Sequence, residues 1–243
     1  MKTYITTALF LVFGFISSTT QAQKAIDLSQ DMLASFKMNQ PITEYEKELE
    51  SIPFQALVDE LNTDQKKQAF WLNVYVVYSQ KLISSTENNE CDNKCKKQKI
   101  VPIAGRMFSL NDMLYLIMLH SKCTFSKKQK MHAPKWEKQL RCTYHDGRVL
   151  LAIDSDSEIA NEFTYFEPDS IDHQLNVLSL MFINKYVYYN KDTNEVFIPK
   201  WLKHFKRELG KKSGIYTGLE QAEVIPKGSK PKIVYSDKIA ISK

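Results

Sequence analysis

Residues 62–84 read NTDQKKQAFWLNVYVVYSQKLIS, and this stretch decides the fold. Asn62 with Gln65 three positions on forms a capping-box pattern, in which side chains at the two ends of one turn satisfy the first N–H groups of a helix. From Lys66 to Ser84 there is neither glycine nor proline. Ala69, Phe70, Trp71, Leu72, Val74, Tyr75, Val76, Val77, Tyr78, Leu82 and Ile83 make this helix apolar nearly all round. A helix of that kind sits inside a core, not along its edge. The pattern predicts a mainly helical protein packed around one central element.

Upstream, Thr43 with Glu46 repeats the capping pattern and opens a helix toward Ile52; Pro53 interrupts it, and Phe54 to Leu61 continue as a second piece. Downstream, Glu87 to Lys99 is a polar loop with two cysteines. Ser109 with Asp112 caps an apolar helix from Leu110 to His120, and Ser121 to Lys138 is a long basic connection. Val149 to Ile153, VLLAI, is a short unbroken apolar run and predicts a strand buried on both faces. Pro168 and Asp169 start a helix through Asn184, with Ile171, Leu175, Leu178 and Phe182 on one face. Val187 to Tyr189 and Val196 to Ile198 flank the polar turn 190–194 as a hairpin. Pro199 suits the first turn of a helix bearing Trp201, Leu202, Phe205 and Leu209, with Gly210 as its stop. The remainder reads as mostly irregular, with Ile233 to Tyr235 as a late strand. The expected fold class is α+β: a mainly helical single domain with a small, mostly antiparallel sheet built around Val149 to Ile153 and the hairpin.

Composition agrees with one globular domain. The 243 residues are 43% hydrophobic and 25% charged, with only 7 Gly and 8 Pro, which excludes whole-chain disorder, collagen and coiled coil. Residues 1–22, MKTYITTALFLVFGFISSTTQA, have the anatomy of a secretory signal peptide: Lys2 at the start, an apolar run from Ala8 to Ile16, and small residues before the cut at Ala22. The apolar run is shorter than the roughly 20 residues a membrane span needs. Cleavage removes one charged residue, Lys2, and leaves residues 23–243 as the domain, with the net charge lowered from +5 to +4. The expected protein is exported and soluble, secreted or periplasmic, with no membrane span after cleavage.

Cys91, Cys95, Cys123 and Cys142 all lie in the mature part. An even number in an oxidising compartment favours disulfides. Cys91–Cys95 with Cys123–Cys142 is the preferred pairing, because each pair flanks a polar loop; the longer link is worth about 3 kcal/mol. The rival is zinc, with His120 and His145 as further ligands. Motifs for phosphate loops, dinucleotides, nucleophile elbows and HExxH zinc sites are missing from the sequence. Asp154, Asp156 and Glu158 alternate after the VLLAI run and are weak candidates for a divalent cation. Ile159 stands where the calcium-loop pattern needs glycine, so a solvated acidic loop is the simpler reading. The lysines at 94, 96, 97 and 99 and at 127, 128 and 130 have no interleaved aromatics, so no nucleic-acid partner is expected.

Several blocks together resemble one family. Ala69 to Tyr75, AFWLNVY, resembles the A-F-W-[IL]-N-x-Y-N signature of the domain of unknown function 547 family. Ile103 to Asp112, Arg148 to Ile153, Tyr165 to Leu175, Val196 to Phe205 and Tyr235 to Asp237 resemble its further blocks in order, over residues 44–243. The resemblance implies a mixed helix-and-sheet domain, often secreted in bacteria, with no general activity to carry over. The departures fall on the reactive side chains. Val76 stands for the motif's second Asn, Leu150 for a His, Ser155 and Ala160 for two Cys, and Lys238 for the final Trp. If the family's Cys and His do nucleophilic chemistry, this chain has lost both. If those cysteines form a bridge, the crosslink has moved to Cys123–Cys142.

The candidate cleft residues are Trp71, Asn73, Tyr75, Arg148, Ser155 and Asp237. Each has a plainer reading as a packing or hydrogen-bonding residue, and Asp237 is a possible partner of Arg148. A hydroxyl at Ser155 needs a base to take its proton, and no His adjoins it in the sequence. The leading expectation is a non-catalytic exported protein that binds or scaffolds an envelope component or a protein partner, without a cofactor. The alternatives are a hydrolase or transferase with its site between the Asn73 helix and Ser155, and a divalent-cation-binding protein.

Overall fold

The computed structural model describes residues 24–86, 91–120, 135–153, 159 and 161–237. The leader 1–22, Cys123 and the stretch Asp154, Ser155, Asp156 and Glu158 lie outside the described residues. The protein is a mainly helical α+β fold, as its sequence predicts. Helices α1 (Lys24–Lys37), α2 (Thr43–Ser51), α3 (Phe54–Glu60) and α4 (Asp64–Ser84) come first. The hairpin β1 (Val101–Ile103) and β2 (Arg106–Phe108) follows, then α5 (Asp112–Met118), which is wound as a π-helix. Next come α6 (Lys135–Leu140), α7 (Arg148–Ala152) and α8 (Ile171–Tyr186). Strands β3 (Tyr188–Asn190) and β4 (Glu195–Pro199), a 3-10 segment (Lys200–Phe205), α9 (Lys211–Gln221) and β5 (Lys232–Ser236) complete the chain.

The central helix is where the sequence places it. Every residue of α4 from Gln68 to Tyr78 is buried, with α1, α5 and α8 packed against it. Its cap is one residue later than the pattern suggests: Thr63, not Asn62, accepts the Lys66 N–H at 3.2 Å. The Trp71 ring packs edge-on to Phe70 and against Phe108, which in turn meets Trp136. At the far end of the core the buried Glu60 carboxylate accepts the Ala25 and Ile26 N–H groups at 3.0 and 2.9 Å, closing the first turn of α1. Burial raises Glu60 above the ordinary carboxylate range. The Ser109–Asp112 box forms as expected: the Asp112 N–H reaches Ser109 Oγ at 3.1 Å, and the Ser109 N–H reaches Asp112 Oδ2 at 2.7 Å.

Two expectations are corrected, and a third falls partly outside the described residues. Residues Arg148–Ala152 form helix α7, not a strand. Asp146 Oδ1 accepts the Arg148 N–H at 3.0 Å and turns the chain into a helix whose Val149, Leu150, Leu151 and Ala152 are all buried. A short run buried on every side has no period, so strand and helix read alike. The sheet is therefore built from the hairpin and the late strand: β3 and β4 pair antiparallel, and β4 pairs parallel with β5, Val196 opposite Ile233. Second, the tail holds a helix, α9, whose Leu219 packs with Val187, Val196, Ile198 and Ile225 in a small core separate from the main one. Third, Cys91–Cys95 is bonded and Cys142 is a free thiol; Cys123, its expected partner, lies outside the described residues. Cys142 is fully buried, its N–H donates to Ile117 O at 2.9 Å, and burial pushes its thiol up to about 12.

Candidate functional site

The polar residues that the sequence singles out have separate structural partners. Asn73 is wholly buried. Its Nδ2 donates to Ser29 Oγ at 3.1 Å and to Phe166 O at 3.0 Å, and its Oδ1 accepts the Phe166 N–H at 2.7 Å. Gln174 does the same for the neighbouring residues, donating to Tyr165 O and accepting the Glu167 N–H. Two side-chain amides thus stitch the extended chain at 165–167 to α4 and α8. Each pairs backbone groups of an irregular segment whose middle residue, Phe166, is buried. Trp71 is completely buried, and Tyr75 is 4% exposed, with burial raising its hydroxyl well above the ordinary phenol range.

Arg148 is held as firmly. Its Nε and Nη2 grip the two Asp146 oxygens at 3.0 and 2.8 Å, Nη2 also meets Asp172 Oδ1 at 2.7 Å, and Nη1 donates to Asn176 Oδ1 at 2.6 Å. The Asp146 hydrogen bonds, ahead of the opposing effect of burial, hold the guanidinium above its usual range. This clamp ties α7 to α8. Asp237 is exposed and pairs with Lys200 at 2.8 Å, not with Arg148. Ser155 and the carboxylates at 154, 156 and 158 lie outside the described residues. His120 and His145 do meet, ring centroids 5.5 Å apart, but among the described residues no three metal-donor side chains gather.

Of the candidate residues, Arg148 also lines an open cavity of about 730 Å³ between α7, α8, the hairpin and α9. That size is within the usual range of small-molecule sites. Leu151, Phe182, Ile198, Leu202 and Leu219 are buried apolar members of its lining, and Leu180 stands 41% exposed at its edge. Helix α9 makes the cavity possible. Gly210, Gly214 and Gly218 recur every four residues and line it without side chains. A Cβ on Gly214 would come within 2.3 Å of Leu209 O, so only glycine lets α9 lie that close to the preceding turn. A Cβ on Gly218 would meet nothing within 4 Å. Exposed Ser213, Thr217 and Gln221, at the same spacing, give α9 a polar edge.

The hydroxyls of the lining are already engaged. Ser179 donates to Leu175 O, Ser213 to Gly210 O and Thr217 to Ser213 O. No His or Cys is among the described lining residues. Arg148 and the buried Glu208 are the charged members of the lining. The signal for this cavity was present in the sequence as two interleaved four-residue spacings, 210/214/218 and 213/217/221. Two glycines within one short helix and a third at its N-cap hid it, because glycine depresses helix propensity.

Neither a curated protein nor a solved structure matches the sequence. A family model described as "Protein of unknown function, DUF547" matches residues 58–183. The match takes in α4 and most of α8 and stops before the hairpin and α9, so it covers one wall of the cavity but not the other. It spans more than half of the chain, which therefore belongs to the DUF547 family.

Proposed function

We propose that this is an exported, non-catalytic binding protein, and that the cavity between the family-matched core and the C-terminal unit holds an apolar small molecule of the cell envelope. The leader pattern of residues 1–22 supports export. The observation that carries the reading is the contrast between consumed polar groups and open apolar space. The amide of Asn73 and the guanidinium of Arg148 are consumed in fold-keeping bonds, while an apolar space large enough for a ligand stands open beside α9.

Titrating the mature chain with a neutral apolar fluorophore such as N-phenyl-1-naphthylamine tests the site. Saturable binding at one site is expected. Gly218→Leu, which adds a side chain where nothing lies within 4 Å, is expected to remove that binding without lowering the melting temperature. Equal binding by the variant sinks the assignment. Intact-mass measurement of the exported protein tests the leader separately; a retained Met1 contradicts export.

A further inference from the structure

The segment that closes one side of the cavity has an opposite, outward face. Residues 200–212 read KWLKHFKRELGKK and hold Lys200, Lys203, Lys206, Arg207, Lys211 and Lys212 against one acid, Glu208. That acid is 7% exposed, whereas all six basic residues are exposed. The 3-10 winding of Lys200–Phe205 sorts the side chains, because residues three apart eclipse. Leu202 and Phe205 form an inward row, Leu202 at 5% exposure. Lys200 and Lys203 form a second row, and Trp201 and His204 a third, both exposed. Lys206 and Arg207 prolong the two outer rows into the following turn. Trp201 is 37% exposed, with ring contacts to Phe182 and Phe205, and Phe205 stacks on Tyr115. An exposed acid, Asp237, pairs with Lys200, and Lys206 lies over the Tyr235 ring. The surface is basic, with a rigidly backed indole in its midst.

We propose that this face docks on an anionic lipid surface, the lysines and Arg207 meeting headgroups and Trp201 entering the interface. Two independent chemistries converge on that partner. Clustered Lys and Arg are drawn to an anionic leaflet, and tryptophan favours the boundary between water and hydrocarbon because one end of its ring is apolar and the other polar. A soluble polyanion would use the charges alone and leave the indole unexplained. The inference goes beyond the cavity reading: it needs no occupied cavity, only the exposed side chains.

The test is sedimentation of the mature protein with vesicles of phosphatidylcholine alone or mixed equally with phosphatidylglycerol, with tryptophan emission followed in parallel. Binding to the anionic vesicles, weakened by salt and accompanied by a blue shift, is expected. Trp71 is fully buried, and Trp201→Phe is expected to remove most of the shift. Lys203→Glu with Arg207→Glu is expected to lower partitioning at least about thirtyfold. Lys211→Glu with Lys212→Glu, on a separate element, is a second charge reversal with the same expected direction. Gly218→Leu is expected to bind vesicles as the parent does, so failure here and failure of the cavity assignment are told apart. Equal binding to phosphatidylcholine alone, no vesicle binding, or binding to dextran sulfate without vesicle binding overturns the proposal.

Discussion

Helix α4 and helix α9 are built on opposite terms. Along α4 every position from 68 to 78 is buried, and its one central polar side chain, Asn73, uses both its donor and its acceptor inside the core. Along α9 Leu219 is the buried residue, and Gly214 and Gly218 line a cavity beside the exposed Ser213 and Thr217. The comparison teaches where function can reside. A residue type that suggests chemistry in a sequence does structural work when burial has used up its bonding capacity. A helix of low propensity persists where a small separate core holds it and space beside it stays open.

The largest expected effect is at Asn73. Asn73→Leu removes three hydrogen bonds and strands the Phe166 N–H, while Phe166 O keeps Gln30 Nε2 and the Ser29 hydroxyl keeps Ile26 O, and is expected to cost about 3 kcal/mol in urea denaturation. A loss under about 1 kcal/mol means that the amide is not what stitches 165–167 to α4. On α9 one substitution has opposite signs one turn apart. Gly214→Ala drives a methyl to 2.3 Å from Leu209 O and is expected to destabilise by about 2 kcal/mol. Gly218→Ala meets nothing and is expected to stabilise by up to about 1 kcal/mol through helix propensity. Equal signs for the two break the packing account of the glycine row.

Smaller effects come from titration. Burial raises Glu60, so the folded chain holds that proton more tightly than the unfolded chain does. Its contribution is full below the unfolded carboxyl value and is lost as pH rises through the folded one. Stability is expected to decline over that window in the parent and to do so less in Glu60→Gln; the same slope in both excludes Glu60 as its source. The thiol of Cys142, pushed up to about 12, is expected to resist alkylation at neutral pH until the protein is unfolded, since the thiolate is the reactive form. Rapid labelling of the native protein places it outside the core.

The core was legible because α4 is long, unbroken and apolar on every face, and a pattern of that length has one reading. The Ser109–Asp112 box was legible because its two side chains serve each other within one turn. The hairpin at 188–199 followed from a polar turn between two short apolar runs. Arg148–Ala152 was not legible as a helix, since five residues buried all round show no period. The cavity was legible only in hindsight, since Gly210, Gly214 and Gly218 argue against a helix until Ile198, Leu219 and Ile225 are seen packed together. At the candidate residues, the sequence names Asn73 and Arg148 correctly as polar groups with work to do. Whether the partner is a ligand or the chain itself is decided by contacts 93 residues away for Asn73 and 24 for Arg148.

The most direct measurement is a map of backbone amide chemical shifts in the mature protein with and without the neutral apolar probe. The account expects the shifts to cluster at 147–151, 176–187 and 198–221, with α4 from Ala69 to Tyr78 unmoved. Perturbation centred on Asn73 and Tyr75, with residues of α9 silent, would contradict it.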